Sequence, residues 1–260
     1  MELKIMSFNL RTEVRSDGIN YFPHRKPRIL SAIETESPDL IGFQEATDTM
    51  RDWLIEALFP IGYTVVGCGR SAYYRGESTI VAYKRRIFEM ISAETRWLSL
   101  TPTAAGSSFG GDQSDCPRVF TSLVMKRHDV AQTFAFVNTH LDHLGASARL
   151  LGAAEICQYL SEKNLPFIIT GDMNATPEAP EIALFTSRAL CGRSVVDATA
   201  NLGPTFHNFG KLAPKDFVKI DYIFTDLPCD ISRSMRVEDV PVDGVYISDH
   251  NPVCAYVELQ

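Results

Sequence analysis

The sequence predicts an α/β fold of the α+β kind, in which strands outnumber helices. Ten segments have the composition and length of β-strands, whereas four have the apolar spacing of helices. Several strand-like segments follow one another with short connections, which favours antiparallel or mixed sheets over strict alternation of strand and helix. The length of 260 residues and the ordinary apolar and charged content indicate one large domain spanning residues 1–260.

The predicted strands are short apolar runs that end at polar or turn residues. They are Lys4–Phe8, Leu40–Gln44, Tyr63–Gly67, Ser78–Tyr83, Phe88–Trp97, Arg118–Lys126, Gln132–Asn138, Phe167–Thr170, Lys219–Phe224 and Val253–Leu259. Apolar residues at one-face spacing predict the helices. These are Pro23–Glu36, Asp48–Phe59, Ala146–Glu162 and Pro180–Ala189.

One segment between two predicted strands has the composition of a loop. Ser99–Pro117 is rich in Gly, Ser, Thr and Pro, which predicts a long surface loop. Two interpretations are open: a flexible connection, or a lid that faces the substrate.

The charge balance restricts the partners that the protein attracts. A net charge of −7 gives no overall basic surface and argues against a dedicated DNA-binding protein, although a local basic groove is compatible with it. No run approaches the roughly 20 apolar residues of a transmembrane helix. Met1–Leu10 is strand-like and lacks the features of a signal peptide. We therefore expect a cytoplasmic protein without stable membrane insertion; a secreted form stays open if a signal was removed before this numbering.

The six cysteines are scattered and form no Cys-x-x-Cys pair, and most lie in apolar segments. This pattern is typical of reduced, structural thiols. They are Cys68, Cys116, Cys157, Cys191, Cys229 and Cys254.

Polar residues stand repeatedly where a predicted strand ends. A single polar residue there is usually a cap or turn residue, but six such positions, all occupied by Asn, Asp, Glu or His, are hard to explain by turn chemistry. Five positions stand at strand ends: Asn9, Glu45, His140, Asp172 with Asn174, and Asp249 with His250; the sixth, Asp221, interrupts the apolar run Val218–Phe224.

These residue types indicate metal-assisted chemistry. Oxygen ligands from Asn9, Glu45, Asp172, Asn174 and Asp249 suit a hard cation such as Mg²⁺, whose coordination is usually completed by water and phosphate oxygens. Zinc fits less well, because the chain has neither a His-Glu-x-x-His motif nor a cysteine cluster.

The two strand-end histidines, His140 and His250, are better suited to charge stabilisation and proton transfer. Their carboxylate partners would be Asp221 and either Asp249 or Asp172.

Taken together, the strand-end motifs resemble those of the endonuclease/exonuclease/phosphatase superfamily. The resemblance extends from Met6 to Val253 and follows the order of the family's motifs. The motifs are Ser7-Phe8-Asn9, Gly42-Phe43-Gln44-Glu45, Asn138-Thr139-His140-Leu141, Thr170-Gly171-Asp172-Met173-Asn174, Ile220-Asp221-Tyr222-Ile223 and Ser248-Asp249-His250. The resemblance implies a four-layer α/β/β/α sandwich, with two mixed sheets packed face to face and helices outside. It also implies Mg²⁺-dependent attack of water on a phosphoester, with Mn²⁺ as a substitute.

The resemblance further implies a role for each polar residue. Glu45 looks like the principal metal ligand with Asn9 beside it, and Asp249 looks like a metal-site carboxylate that also orients His250. His250 would be the general base, and Asp172 would position the attacking water.

The remaining implied roles concern the phosphoryl group. Asn174 would hold a phosphate oxygen, and His140, oriented by Asp221, would stabilise the growing negative charge. No covalent enzyme intermediate is required.

Further motifs resemble a bacterial branch close to the deadenylase-like members. They are Asn138-Thr139-His140-Leu141-Asp142-His143, Ala148-Arg149, Gly69-Arg70, Gly76-Glu77, Trp97-Leu98-Ser99 and Thr205-Phe206-His207. Arg70 and His207 are candidates for contacts with phosphate or substrate, and surface or packing roles are the alternatives. Abasic-site repair is disfavoured, because the tyrosine-bearing strand of the repair endonucleases is replaced here by the His140 strand and no additional basic helix follows.

The sequence therefore predicts a metal-dependent phosphoric ester hydrolase acting on a phosphorylated substrate. One version is a nuclease-like phosphodiesterase that cleaves short or single-stranded nucleic acid. The alternatives are a phosphomonoesterase or phospholipid-headgroup phosphodiesterase acting on a small substrate, and a noncatalytic binding module of the same fold. A calcineurin-like metallophosphoesterase is disfavoured, because the expected Gly-Asn-His-Asp/Glu motif is absent. The oligomeric state is left open.

Overall fold

The structure, a computed structural model, describes residues 1–188 and 192–260. Within these residues the chain forms twelve strands. They are β1 (Glu2–Asn9), β2 (Leu40–Ala46), β3 (Tyr63–Val66), β4 (Ser78–Lys84), β5 (Phe88–Trp97), β6 (Val119–Arg127), β7 (Thr133–His140), β8 (Phe167–Asp172), β9 (Val196–Asp197), β10 (Asp221–Thr225), β11 (Met235–Arg236) and β12 (Val253–Glu258). The longer helices are α1 (Phe22–Glu36), α2 (Asp48–Leu58), α3 (Ala146–Lys163) and α4 (Pro180–Phe185).

The strands form two six-stranded mixed sheets. The first has the order β11-β12-β1-β2-β4-β3, and the second has the order β5-β6-β7-β8-β10-β9. Each sheet contains one parallel pair, β1 with β2 and β7 with β8, and its other pairs are antiparallel. This arrangement confirms the predicted mixed sheets.

Three apolar clusters separate four layers. The middle cluster joins the inner faces of both sheets and contains Leu3, Ile5 and Val81 from the first sheet with Phe136 and Ile223 from the second. Because alternate residues of a strand point to opposite faces, the same strands also supply the two outer clusters. The α/β/β/α sandwich is confirmed.

The outer clusters attach helices to the sheets. Ile29 and Ile33 of α1 and Leu54 of α2 pack with the first sheet. Ile156 of α3 and Ile182 of α4 pack with the second. Burial of each such side chain stabilises the fold by about 1.5–3 kcal/mol, and this fixes the helices outside the sheets.

The predicted elements recur with small shifts at their ends. The predicted helix Pro180–Ala189 is shorter, because α4 ends at Phe185, and Ala189 lies outside the described residues. The predicted loop at 99–117 has neither helix nor strand. It is tied down by Asp112, whose carboxylate accepts hydrogen bonds from the backbone N–H groups of Ser147 (2.8 Å) and Ala148 (3.1 Å) at the start of α3.

Among the described residues, none of the helices has the length and apolar character needed to cross a membrane. Five of the six cysteines are thiols in this structure, and the sixth, Cys191, lies outside the described residues. The five are Cys68, Cys116, Cys157, Cys229 and Cys254.

Strand register brings the polar strand ends to one rim. In the second sheet Asp172 is opposite both His140 of β7 and Asp221 of β10. In the first sheet Asn9 is opposite Gln44, the residue before Glu45. The carboxyl ends of the two parallel pairs therefore meet at the same edge of the sandwich.

Candidate active site

Glu45 occupies a strained turn at the end of β2. Its φ of +62° lies in the left-handed region, and the register with β4 shifts between Phe43 and Ala46. A non-glycine residue in this region costs on the order of 1–3 kcal/mol and persists only where neighbouring contacts hold it. Here the Thr12 backbone N–H donates to Glu45 Oε2 at 2.7 Å. The Glu45 side chain lines the cleft at the rim.

Asn9 holds two carboxylates together. Its side-chain Nδ2 donates to Glu45 Oε1 at 3.0 Å and to Asp172 Oδ2 at 2.9 Å. Its Oδ1 accepts the backbone N–H of Arg11 at 2.8 Å, so the amide oxygen is engaged on the other side. Asn9 therefore bridges Glu45 and Asp172, one from each sheet, and its direct ligation of a metal stays a prediction.

His250 is held by Asp221. The Nδ1 of His250 lies 2.9 Å from Asp221 Oδ2, and its Nε2 lies 3.8 Å from Asp172 Oδ2 and 4.0 Å from Asp249 Oδ1. The predicted pairing of Asp221 with His140 is wrong. The antiparallel register sets Asp221 beside Asp172, and the segment before β12 delivers His250 to the same place.

His140 is held by Asn174 instead. The Asn174 Nδ2 lies 2.9 Å from His140 Nε2 and also donates to the Leu141 carbonyl at 3.1 Å. Because an amide nitrogen only donates, His140 Nε2 is the acceptor in this pair. Asn174 has a φ of +47°, and its backbone N–H donates to Asp172 Oδ1 at 2.9 Å.

Burial and neighbouring charges shift the pKa values of the carboxylates in the site. Burial raises the pKa of Asp172 to about 7, and the charge of Asp221 adds to this rise. Burial also raises the pKa of Asp249. Burial alone would raise the pKa of Glu45, but the hydrogen bond from Asn9 and the nearby His250 charge hold it below its usual range.

The two histidines have opposite pKa shifts. Burial would lower the pKa of His250, but the charge of Asp221 and its hydrogen bond, together with Asp172, raise it to about 10. Burial lowers the pKa of His140 well below its usual value, and the charge of Arg118 lowers it further. At neutral pH the site thus contains one charged and one neutral imidazole.

These residues line one cleft of about 510 Å³. Glu45, His140, Asp172, Asn174 and His250 all contribute to its wall. Asp249 lines it as well, whereas Asn9 and Asp221 are almost fully buried and contact the residues of its wall. The predicted strand-end residues are therefore brought together.

Arg11 and Arg118 also line the cleft, and sequence reasoning missed both. Arg11 pairs with Asp17 through Nε at 3.0 Å, and the same Nε lies 3.7 Å from Asp249. Arg11 follows the Asn9 motif by two residues, which was an available signal. Arg118 opens a predicted strand instead of closing one, so the strand-end criterion did not include it.

The two predicted substrate contacts occupy different environments. Arg70 lines the cleft and pairs with Glu77 at 3.0 Å. His207 is buried, and its Nδ1 accepts the Gly210 backbone N–H at 3.0 Å. Its ring packs 5.4 Å from that of Tyr246, an arrangement that favours a packing role.

The donor set fits a hard divalent cation. Ligand atoms of Glu45, His140 and Asp172 lie within 4.8 Å of one another, and so do those of Asp172, Asp221 and His250. Clustered, buried carboxylates with raised pKa values are stabilised by a cation, and carboxylate oxygens are the ligands that Mg²⁺ prefers. These residues could hold a metal ion.

Comparison with known proteins shows the family to which this sequence belongs. Residues 6–250 match the profile described as the endonuclease/exonuclease/phosphatase family. Among curated proteins, an uncharacterised protein of Acanthamoeba polyphaga mimivirus is 25% identical over 280 residues, covering 98% of this chain and 100% of that protein.

Two bacterial structures share the whole fold. The endonuclease/exonuclease/phosphatase from Bacteroides vulgatus has 28% identity and a TM-score of 0.87, and the match covers 100% of both chains. A mannosyl-6-phosphatase from Bacteroides thetaiotaomicron has 27% identity and a TM-score of 0.84, and the match covers 98% of this chain and 100% of that one. The superfamily resemblance drawn from the sequence motifs is confirmed.

Proposed function

Because the chain belongs to the endonuclease/exonuclease/phosphatase family, we propose that it is a Mg²⁺-dependent hydrolase that cleaves a phosphoester with water activated by histidine and aspartate. The observation that carries this proposal is the Asp221–His250–Asp172 arrangement. Asp221 fixes His250 through Nδ1 at 2.9 Å, which leaves Nε2 beside Asp172 at the cleft. An imidazole oriented in this way can accept a proton from water and pass it on.

The Asp172–His250 pair is the proton acceptor. In the attack, the water oxygen forms the new bond to phosphorus, the proton of water passes to this pair, and the ester oxygen leaves. Both groups have raised pKa values in the metal-free site, where His250 is already protonated at neutral pH. The positive charge of a bound divalent cation would lower both pKa values, and His250 would then be neutral and able to accept this proton. Both N–H groups of the Asn174 amide are used by His140 Nε2 and the Leu141 carbonyl, so Asn174 would orient His140, and the Nδ1–H of His140 would contact a phosphoryl oxygen next to Asp172.

A divalent cation bound by Glu45 and Asp172, with Asp249 nearby, would stabilise charge on the phosphoryl group and lower the pKa of bound water. Mn²⁺ is expected to substitute for Mg²⁺, because both accept oxygen ligands in octahedral geometry. Asn9 keeps the two carboxylates together through its hydrogen bonds to both.

Cleavage of a phosphodiester, as in a short or single-stranded nucleic acid, is the first version of this activity. A small phosphomonoester is the second candidate, and a specific observation favours it. The mannosyl-6-phosphatase relative spans nearly the whole chain, and the cleft volume of about 510 Å³ is typical of small-molecule sites. We propose that the same residues would catalyse either reaction, hydrolysis of the phosphodiester or of the phosphomonoester.

A hydrolysis panel with Mg²⁺ or Mn²⁺ tests the proposal. It contains a generic phosphodiester, oligo(A), single- and double-stranded DNA, sugar phosphates, phosphoinositides and sphingomyelin. Loss of the proton acceptor in His250→Ala is expected to lower turnover by about a hundredfold or more on the substrate class that the wild type cleaves. The matched control is His128→Ala, since His128 is exposed and lies outside the cleft lining.

Metal dependence is measured separately. Chelation with EDTA should abolish turnover, and Glu45→Gln should raise the Mg²⁺ concentration required for half-maximal rate. Near-normal turnover in His250→Ala would remove that residue from the mechanism, and turnover unaffected by EDTA would refute metal dependence.

A further inference from the structure

Arg118 is a buried cation beside the catalytic residues. Its side chain is only 5% exposed, yet it contributes to the lining of the cleft. It also lines a water-sized chamber of about 10 Å³ that has Glu45, Arg70 and His140 in its wall. A charged side chain in this position needs acceptors for its N–H groups.

Some of the N–H groups of Arg118 have no hydrogen-bond acceptor among the described residues. Its Nε lies 3.4 Å from Asp142 Oδ2, and its Nη2 lies 2.8 Å from His143 Nδ1. Its Nη1 is buried and has no hydrogen-bond partner in the part of the chain that the structure describes. An unsatisfied guanidinium nitrogen costs free energy that an acceptor oxygen would recover.

Asp142 is already committed to the backbone. It accepts from the N–H groups of Leu144 (3.0 Å) and Gly145 (2.8 Å) and from the hydroxyl of Ser114 (2.5 Å). Burial alone would raise the pKa of Asp142, but these bonds hold it well below its usual range. Most of the lone pairs of the Asp142 carboxylate are therefore occupied by these other donors, and few remain for Arg118.

His143 adds a second donor to the cleft. A guanidinium nitrogen only donates, so His143 Nδ1 is the acceptor and a neutral ring carries its proton on Nε2. The ring lines the cleft and is exposed. Arg70 lines the same cleft, and its charge is shared with Glu77, whose pKa burial raises.

We propose that Arg118, Arg70 and His143 form a subsite for a second anionic group of the substrate, separate from the phosphoester that is cleaved. This inference rests on the proposed hydrolase function and specifies which substrates the site takes. Anionic oxygens are the ligands that match an unsatisfied guanidinium N–H next to an imidazole N–H. A second phosphate on a small molecule and the neighbouring phosphate of a short oligonucleotide share this chemistry.

Paired substrates test the subsite. The first pair is glucose 1,6-bisphosphate against glucose 6-phosphate, and the second is a dinucleotide with a 5′-phosphate against the same dinucleotide with a 5′-hydroxyl. In the wild type, the second anion should raise kcat/KM by about tenfold or more in one pair, mainly through a lower KM. The pair that shows the advantage identifies the source of the anion.

The variants assign the advantage to the subsite. Arg118→Gln should remove most of the difference in kcat/KM between the two substrates of a pair. His143→Ala should reduce this difference, and because His143 is exposed we expect the variant to fold. Arg127→Gln is the matched control, because Arg127 ends the strand β6 that Arg118 precedes and lies outside the cleft lining. Circular dichroism verifies that each variant is folded.

Binding provides a readout independent of turnover. In a His250→Ala background, calorimetry should show the doubly anionic ligand binding about tenfold more tightly than its partner. If the wild type shows no preference within either pair, or if Arg118→Gln and His143→Ala lower both members equally, the subsite is refuted while the hydrolase function stands. If the wild type hydrolyses nothing, the hydrolase function fails, and the calorimetric ratio alone decides the subsite.

Discussion

Asp221 illustrates how a single residue sets the protonation of the site. Its carboxylate lies 2.9 Å from His250 Nδ1, and after burial it is the largest influence on the pKa of His250, which it raises. In Asp221→Asn the negative charge is lost, so the pKa of His250 should fall while that of His140 changes less. NMR titration of the imidazole protons in EDTA measures both values.

The same substitution should lower turnover by about tenfold to a hundredfold, because the imidazole loses its orientation. Asp216→Asn, at an exposed residue, is the control. A fall in the pKa of His140 with an unchanged His250 would instead support the pairing expected from the sequence.

Glu155 carries a second residue-scale prediction, for stability. Burial raises its pKa to about 7 from 4.5, and the Ser99 backbone N–H donates to its Oε2 at 3.0 Å. A raised carboxyl pKa penalises the folded state once the group ionises. The penalty is absent below pH 4.5, grows as the pH rises toward 7 and is complete above it.

Glu155→Gln keeps an acceptor for Ser99 and removes the charge. Above pH 7 it should therefore raise the free energy of unfolding by about 1–2 kcal/mol, a value reduced by solvent screening at this half-buried position. Denaturant titrations at pH 4 and pH 8 measure the difference between variant and wild type. An equal difference at both values would show that ionisation is not its cause.

The sequence predicted which residues meet, but not how they pair. The strand-end pattern selected Glu45, His140, Asp172 and His250 because a polar side chain after an apolar run is visible in one dimension. The exchange of partners between the two histidines depends on which strand lies beside β8, and register across a sheet is not encoded in local composition. Arg118 was missed for a related reason, since its place in the cleft is a product of the fold and leaves no pattern in the sequence.

At the scale of elements, length decided what the sequence could predict. Strands of four or more residues and the longer helices have enough apolar periodicity to be recognised, and they were confirmed. The strands β9 (Val196–Asp197) and β11 (Met235–Arg236) have two residues each, too few for any periodicity. They are placed by pairing with β10 and β12 at the sheet edges.

The contact between β2 and the opposite sheet supplies the element-scale prediction. A Cβ atom on Gly42 would lie 2.0 Å from Thr170 Oγ1 and 2.5 Å from Asn138 Oδ1. Asn138 also accepts from Gln44 Nε2 at 2.7 Å, so a buried polar network lies at this contact. Gly42→Ala should therefore lower the free energy of unfolding by about 1–3 kcal/mol through overpacking.

The same shift should reach the site, because Glu45 follows three residues later on the same strand, and turnover should fall with stability. Gly203→Ala is the control, since a Cβ there would have its nearest contact at 3.8 Å, with Arg236 Nη1. Chemical denaturation monitors both variants. If Gly42→Ala were as stable as Gly203→Ala, the close contact between β2 and the opposite sheet would not limit the size of residue 42.

At the scale of the whole molecule, the proposed catalytic residues are distributed over both sheets. Glu45 belongs to β2 of the first sheet, whereas His140 and Asp172 end β7 and β8 of the second. The middle apolar cluster is the layer that sets the distance between them. Neither sheet alone contains the site, so we propose that residues 1–260 act as a single domain that unfolds as one unit.

The two tryptophans test this cooperativity, because they lie in different halves of the sandwich. Trp53 is in α2 and packs with the cluster outside the first sheet, and Trp97 ends β5 of the second sheet. Fluorescence of Trp97→Phe therefore reports the first half, and fluorescence of Trp53→Phe reports the second. In each variant the fluorescence midpoint in denaturant should coincide with that of far-ultraviolet circular dichroism. Different midpoints would mean that one sheet stays folded after the other has unfolded. That result would contradict the proposal that a shared core sets the geometry of the site.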